Sequence, residues 1–84
     1  MSSQNAFHIA GAYGLNNLVK VLLMRAKDID PDRQDKEGRT PLSWATARGH
    51  TEVVKALLSD GRVDPEQQDN YGQTPLSWLQ RMAI

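Results

Sequence analysis

The feature that most constrains this chain is an eight-residue motif that occurs twice. Gly38-Arg-Thr-Pro-Leu-Ser-Trp-Ala45 returns as Gly72-Gln-Thr-Pro-Leu-Ser-Trp-Leu79, 34 positions later. Six of the eight positions are identical, which is far more than an accidental match would give. Self-similarity at a fixed period of this size is typical of architectures in which one supersecondary unit stacks on the next. The sequence therefore predicts a repeat protein.

Each copy of the motif also has the chemistry of a helix start. Thr40 and Thr74 suit the N-cap position, where the hydroxyl accepts a hydrogen bond from a backbone N–H that the helix leaves unpaired. Pro41 and Pro75 then fall at the first helical position, where a missing N–H costs nothing. Because the preceding glycines can close a turn, each unit is predicted to run turn, cap and helix.

The motif, followed by Arg48-Gly-His50 and the apolar run from Val53 to Leu58, closely resembles the ankyrin repeat. The signature of that family is T-P-L-H-x-A with a period of about 33. Serine stands at Ser43 and Ser77 where histidine is more usual, and this form is similar to a variety common in filamentous fungi. The resemblance implies an all-α ankyrin-repeat solenoid of helix-turn-helix units with β-turn or hairpin loops. It also implies a non-catalytic module that binds a protein partner.

The repeat pattern divides the chain into about two and a half units. We expect a single domain over residues 1–84, with repeat one at about 5–39, repeat two at about 40–73 and a truncated repeat three at 74–84. Helices are predicted at about 6–13, 17–25, 41–48, 52–59 and 75–82. Asn5 replaces the threonine cap in repeat one, and Asn16 and Thr51 are the predicted caps of the second and fourth helices.

Composition limits the classes of partner and compartment. Ten basic and ten acidic residues are interspersed, with a net charge of zero, which argues against a nucleic-acid partner or an anionic membrane. No apolar segment approaches the length that crosses a bilayer, and no secretory signal pattern is visible. Cysteine is absent, so no disulfide or cysteine metal site is expected. We expect a cytoplasmic protein, with the nucleus as the alternative.

The two histidines are the first candidates for catalysis or metal binding, and the sequence favours a structural role for both. His50 stands at a helix junction, and the repeat counterparts of His8 are serines, so each is expected to bond to backbone groups. Neither is accompanied by a second histidine at metal-binding spacing, a carboxylate pair or a phosphate-binding loop. The acidic segment 28–32 lacks the glycine and distal glutamate of an EF-hand. We predict no enzyme activity, no metal and no cofactor.

Other residues at matching places in the repeats are predicted to be structural. Trp44 and Trp78 lie one turn inside the first helix of a unit, where aromatic side chains usually pack between repeats. Trp44 is therefore predicted to be largely buried, and Leu42 is predicted to pack against the neighbouring repeats. Lys20 and Lys55 are predicted to lie on the solvated face of the second helices.

The positions that change between units are the candidates for binding. Turn residues Lys36, Glu37 and Arg39 are replaced by Asn70, Tyr71 and Gln73, while the surrounding motif is kept. In ankyrin proteins the equivalent turn tips and the outward residues of the first helix line the concave surface that grips partners. The resemblance therefore implies partner binding by Lys36, Glu37, Arg39, Ala47, Arg48, Asn70, Tyr71, Gln73, Gln80 and Arg81, with Ala12 and Tyr13 in repeat one.

The last helix is predicted to carry an uncovered apolar side, because no second helix follows it in the pattern. The residues concerned are Leu76, Trp78, Leu79, Met82 and Ile84. Soluble monomers rarely expose such a patch, so it is predicted to meet a second copy, as a homodimer, or adjacent repeats of a longer chain. A structural segment of a longer ankyrin array is thus the alternative to a binding module.

Overall fold

The computed structural model contains five α-helices, and its described residues form no β-strand. The structure describes residues 4–82, apart from the side chains of Trp78, Leu79, Arg81 and Met82. The helices are α1 (Ala6–Ala12), α2 (Asn16–Arg25), α3 (Pro41–Ala47), α4 (Thr51–Leu58) and α5 (Pro75–Met82). The predicted all-α architecture is confirmed. In this part of the chain no helix is both long enough and apolar enough to cross a membrane.

Three helices begin at the caps that the sequence predicted. The side-chain oxygens of Asn5, Thr40 and Thr74 each accept a hydrogen bond from a backbone N–H two or three residues further on, at 3.0 to 3.2 Å. Pro41 and Pro75 are the first residues of α3 and α5, and both are fully buried. The repeated motif is therefore a helix-start motif in its local chemistry.

α2 and α4 begin one residue earlier than predicted. Asn16 and Thr51 are the first residues of these helices, and the cap positions fall on Leu15 and His50, which make no side-chain capping bond. The reversal that precedes each helix explains the difference. Gly49 adopts a φ of +75°, and the backbone N–H of His50 donates to the carbonyl of Ala45 on α3 at 2.9 Å. The chain therefore reverses at Gly49 and starts α4 directly after His50, one residue earlier than predicted.

α3 is the central element of the packing. It lies against α1, α4 and α5, while α2 lies against α4. Leu42 and Ala45 on α3 are fully buried, as predicted for Leu42. A Cβ at Gly11 would stand 2.8 Å from the carbonyl oxygen of Pro41, so α1 and α3 can approach this closely only over a glycine. The buried apolar core consists of Phe7, Ala10, Val19, Leu42, Ala45, Val53, Val54, Ala56, Leu57 and Val63.

The loops of successive repeats are joined by hydrogen bonds at the repeat spacing. The Gln34 side chain donates to the carbonyl of Gln68 at 3.1 Å. The backbone N–H of Asn70 donates to the carbonyl of Glu37, and its side-chain amide donates to that of Lys36, both at 2.8 Å. The two turn tips therefore form one continuous edge.

Asp32 forms a less favourable contact between the same loops. Its Oδ2 accepts a hydrogen bond from the backbone N–H of Asp64 at 3.2 Å, but its Oδ1 is buried with no hydrogen-bond partner. Burial raises the pKa of Asp32 to about 6, and the negative charges of Asp30 and Asp64 also raise it. The hydrogen bond from the backbone of Asp64 lowers the pKa but does not outweigh these effects. An ionised Asp32 therefore opposes folding.

We expect Asp32→Asn to stabilise the chain at about pH 7.5. The raised pKa means that the folded protein favours the protonated, neutral form of Asp32, and asparagine is neutral at every pH. The wild-type penalty develops as pH rises from about 4 to about 6, the window between the unfolded and folded pKa values. The site is partly open to solvent, so a gain of about 1 kcal/mol is expected. Urea unfolding at about pH 4.5 and 7.5 measures it. A gain of the same size at both values would show that the charge of Asp32 is irrelevant.

Candidate functional site

Trp44 lies at the centre of the surface formed by the turn tips and the first helices. Its indole Nε1–H donates to Oδ2 of Asp35 at 3.0 Å. The other oxygen of that carboxylate accepts bonds from the backbone N–H groups of Glu37 and Arg39, at 2.9 and 3.0 Å. The turn and the indole are therefore fixed to each other. Trp44 is intermediate in exposure and does not belong to the fully buried core, so it is covered less completely than Leu42.

Two arginines pack over the Trp44 ring. The guanidinium carbons of Arg39 and Arg48 each lie 5.5 Å from the ring centroid, and that of Arg39 also lies 5.8 Å from the ring centroid of Tyr71. Such cation–π contacts stabilise an exposed site by about 0.5–1 kcal/mol each. The four side chains Tyr71, Arg39, Trp44 and Arg48 form a row that we call the Trp44 surface.

The two arginines differ in the charge that they present. Arg39 is paired with Glu37 at 3.2 Å, and its Nε lies 3.6 Å from Oδ2 of Asp69. The distance of 3.6 Å is too long for a hydrogen bond, so Nε of Arg39 and Oδ2 of Asp69 are both buried without a hydrogen-bond partner. Arg48 forms no ion pair with any described residue and is exposed. The uncompensated cation of the Trp44 surface is therefore Arg48.

Asp35 is an ionised group that keeps its charge within the fold. Burial acts to raise the pKa of Asp35, but hydrogen bonds from Trp44, from the backbone of Arg39 and Glu37 and from Gln4 outweigh it, so the pKa lies below its usual value. Stability gained from these bonds is present above the ordinary pKa and is lost as pH falls below it. At neutral pH both oxygens of the Asp35 carboxylate therefore already accept hydrogen bonds from within the protein, and they offer few lone pairs to a partner.

An open groove lies beside Trp44, between the first helices of repeats one and two. It has a volume of about 400 Å³ and is lined by Gln4, His8, Ile9, Ala12, Tyr13, Trp44 and Arg48. Ile9 and Tyr13 are 51% and 69% exposed, so the groove has an apolar and aromatic wall opposite the Arg48 cation. A smaller hollow of about 90 Å³ lies on the other side of the indole.

Both histidines bond to backbone carbonyls, as predicted, and His50 also links repeat two to repeat one. His8 is fully buried, with Nδ1 accepting from the backbone N–H of Asn5 at 3.1 Å and Nε2 lying 3.0 Å from the carbonyl of Arg39. Burial lowers the pKa of His8, so the ring is neutral at pH 7. His50 Nε2 lies 3.0 Å from the carbonyl of Ala12. Among the described residues, no three His, Cys, Asp or Glu side chains group as metal ligands.

The structure places the predicted binding residues on the turn tips and first helices, with unequal freedom. Lys36, Glu37, Arg48 and Tyr71 are exposed, whereas the amide of Asn70 is engaged by the neighbouring turn. Gln73 is partly buried, and its backbone closes the second turn. Arg39 is held between two rings. The side chain of Arg81 lies outside the described residues.

The residues predicted to self-associate are mostly outside the described part of the structure. This applies to the side chains of Trp78, Leu79 and Met82 and to Ile84. Leu76 is described and is 40% exposed. The predicted contact with a second copy or with adjacent repeats stays a prediction.

Sequence reasoning missed the role of Trp44 and Ile9, which occupy the same position in two repeats. The sequence predicts packing between repeats for Trp44 and no particular role for Ile9, whereas Ile9 is exposed and Trp44 is partly buried. A signal was present, because Arg39 and Arg48 flank Trp44 in sequence at distances that place a cation on each side of the ring. A polar partner for the indole N–H was also available in Asp35.

Comparison with known proteins identifies the family. The family model for ankyrin repeats (3 copies) matches residues 7–81, so this chain belongs to the ankyrin repeat family, whose members are generally protein–protein interaction modules. The chain is 39% identical to inversin of Danio rerio over 61 aligned residues. The aligned segment covers 73% of this chain and 6% of inversin. These matches do not test the similarity to a fungal variety.

Two further relatives are acyl-CoA-binding domain-containing protein 6 of Rattus norvegicus and of Bos taurus. The rat protein is 36% identical over 55 residues, covering 66% of this chain and 19% of that protein. The bovine protein is 44% identical over 44 residues, which cover 52% of this chain and 15% of the bovine protein. The chain spans less than a fifth of the length of these relatives.

We expect Trp44→Phe to lower the free energy of unfolding by about 1 kcal/mol, because it keeps an aromatic face and loses the bond to Asp35. Leu42→Ala is the matched core control and should cost about 2–5 kcal/mol. Urea unfolding of the three proteins measures both. If Trp44→Phe lowers the free energy of unfolding as much as Leu42→Ala does, Trp44 contributes to stability as a core residue does.

Proposed function

We propose that this chain is a protein-interaction module that holds its partner on the Trp44 surface and in the adjoining groove. The observation that carries the proposal is the row formed by Tyr71, Arg39, Trp44 and Arg48. Tyrosine, tryptophan and arginine are the residue types most enriched at binding hot spots. The membership of the ankyrin family supports the same conclusion, since such repeats generally bind proteins.

The contacts within the row favour binding because they reduce the disorder that a partner must remove. Arg39 is held by Glu37 and by two aromatic rings, and the Trp44 indole is tied to Asp35. Immobilising a flexible side chain on binding costs about 0.5–1.5 kcal/mol. Side chains that are already held in place avoid much of that cost.

The chemistry of the groove favours a particular kind of segment. Arg48 offers a guanidinium with no acidic partner among the described residues, and guanidinium groups bind carboxylates through paired hydrogen bonds. Ile9 and Tyr13 offer an apolar wall across the groove. A segment with an aspartate or glutamate next to an apolar side chain would satisfy both.

We expect Arg48→Ala and Tyr71→Ala each to weaken partner binding by more than about 1 kcal/mol, roughly fivefold or more. Both side chains are exposed and each makes one cation–π contact, so each variant should lose no more than about 0.5–1 kcal/mol of folding stability. Lys55→Ala on α4 is the matched control and should bind like wild type. Affinity is measured by fluorescence anisotropy with peptides selected on the immobilised chain from a displayed library. Equal affinity of wild type and Arg48→Ala, with loss at Lys55→Ala, would place binding elsewhere.

A second candidate function is self-association, or stacking with other repeats, at the end of the array. Leu58 and Leu76 are 43% and 40% exposed, and burying a leucine side chain is worth about 1.5–3 kcal/mol. Sedimentation of wild type and Leu76→Ser over a concentration series tests it. A monomer at every concentration for both proteins would exclude a homodimer through Leu76.

A further inference from the structure

The outer side of α2 carries an exposed apolar band at the opposite end of the array from α5. Leu15, Leu18 and Val21 follow one another at intervals of three residues and are 44%, 43% and 49% exposed. Arg25 continues the band one turn further and is also exposed. We call these four residues the α2 outer face.

Repeat two shows what normally happens at these positions. Residues 18 and 21 match Val53 and Ala56, which are 1% and 9% exposed on α4, the helix against which α2 packs. Leu15 matches His50, whose Nε2 reaches back to the carbonyl of Ala12 in repeat one at 3.0 Å. The same positions are therefore covered in repeat two and uncovered in repeat one.

The uncovered repeat carries the larger or more apolar side chain at each matched position. Leucine replaces histidine at Leu15, leucine replaces valine at Leu18, and valine replaces alanine at Val21. A terminal repeat that only protects an array from solvent has a polar outer face. The substitutions run in the opposite direction, so the α2 outer face has the composition of a contact surface.

Two observations restrict what can cover this face. Leu15 cannot donate the hydrogen bond by which His50 joins one repeat to the previous one, so a covering repeat of the same kind would leave its carbonyl unpaired. A second copy of this chain would present an α2 that contains no acidic residue, so Arg25 would find no acidic partner on that helix. Arg25 forms no ion pair with a described residue.

We propose that the α2 outer face docks an amphipathic helix of a partner protein, with acidic residues bordering the apolar stripe of that helix. Leu15, Leu18 and Val21 would pack against the stripe, as α4 already packs against α2, and Arg25 would pair with the acidic border. This surface is separate from the Trp44 surface and stands whether or not that surface binds.

Selection from a displayed library of helical peptides of about 20 residues, roughly five to six helical turns, tests the proposal. The full chain is the bait, and the Leu18→Ser/Val21→Ser variant removes non-specific binders. Enriched sequences should have apolar residues at i, i+3 or i+4 and i+7, bordered by Asp or Glu. Their affinity should fall at least about tenfold for the double variant and should decrease with added salt. Arg48→Ala should leave it unchanged.

Folding is checked separately. The double variant should keep the wild-type circular dichroism spectrum, whereas Val53→Ser, its buried counterpart, should be clearly destabilised. If the double variant unfolds, Arg25→Glu at an exposed position replaces it and should abolish binding of the acidic peptides. The proposal is overturned if no peptide depends on these residues, or if the enriched peptides lack an acidic border. It is also overturned if the wild type self-associates and the double variant does not, since a second copy would then cover the face.

Discussion

Each turn depends on one aspartate carboxylate at its first position. Asp35 accepts hydrogen bonds from two backbone N–H groups of its own turn at 2.9 and 3.0 Å, and Asp69 repeats this at 2.8 and 2.9 Å. The carboxylate supplies the acceptors that the tight turn cannot supply itself. The residues between are therefore free to change, which is why Lys36 and Glu37 can become Asn70 and Tyr71 without loss of the turn.

The second oxygen of each carboxylate connects the turn to the Trp44 surface. In Asp35 it binds the indole N–H of Trp44, and in Asp69 it lies near Nε of Arg39. Both acidic groups are thus directed into the fold while the arginines lie over the aromatic rings. A chain with no net charge consequently presents an uncompensated cation, Arg48, beside an apolar groove. The electrostatic character of the surface follows from how the turns are closed.

The sequence predicted the helices to within one residue at each end, because threonine, proline and glycine act through local backbone chemistry that a repeat displays twice. The repeated motif by itself does not predict the partial burial of Trp44. That property depends on whether the indole N–H meets a polar group, and Asp35 is nine positions away in a different element. The exposure of Leu18 and Val21 could not be predicted from the sequence for a related reason. An apolar stripe on a helix shows that the side chains favour burial, and only the neighbouring helix decides whether they are buried.

Matched positions in a repeat protein act as internal controls. Residues 18 and 53 share a backbone conformation and a place in their unit, so their difference in exposure comes from the neighbouring element alone. If stability of the isolated chain alone determined the sequence, the uncovered position would be the more polar one. Leu18 and Val21 are instead larger than their buried counterparts. A difference that works against solubility points to a contact with something other than these described repeats. The same comparison of covered and uncovered positions separates packing from recognition elsewhere in the chain.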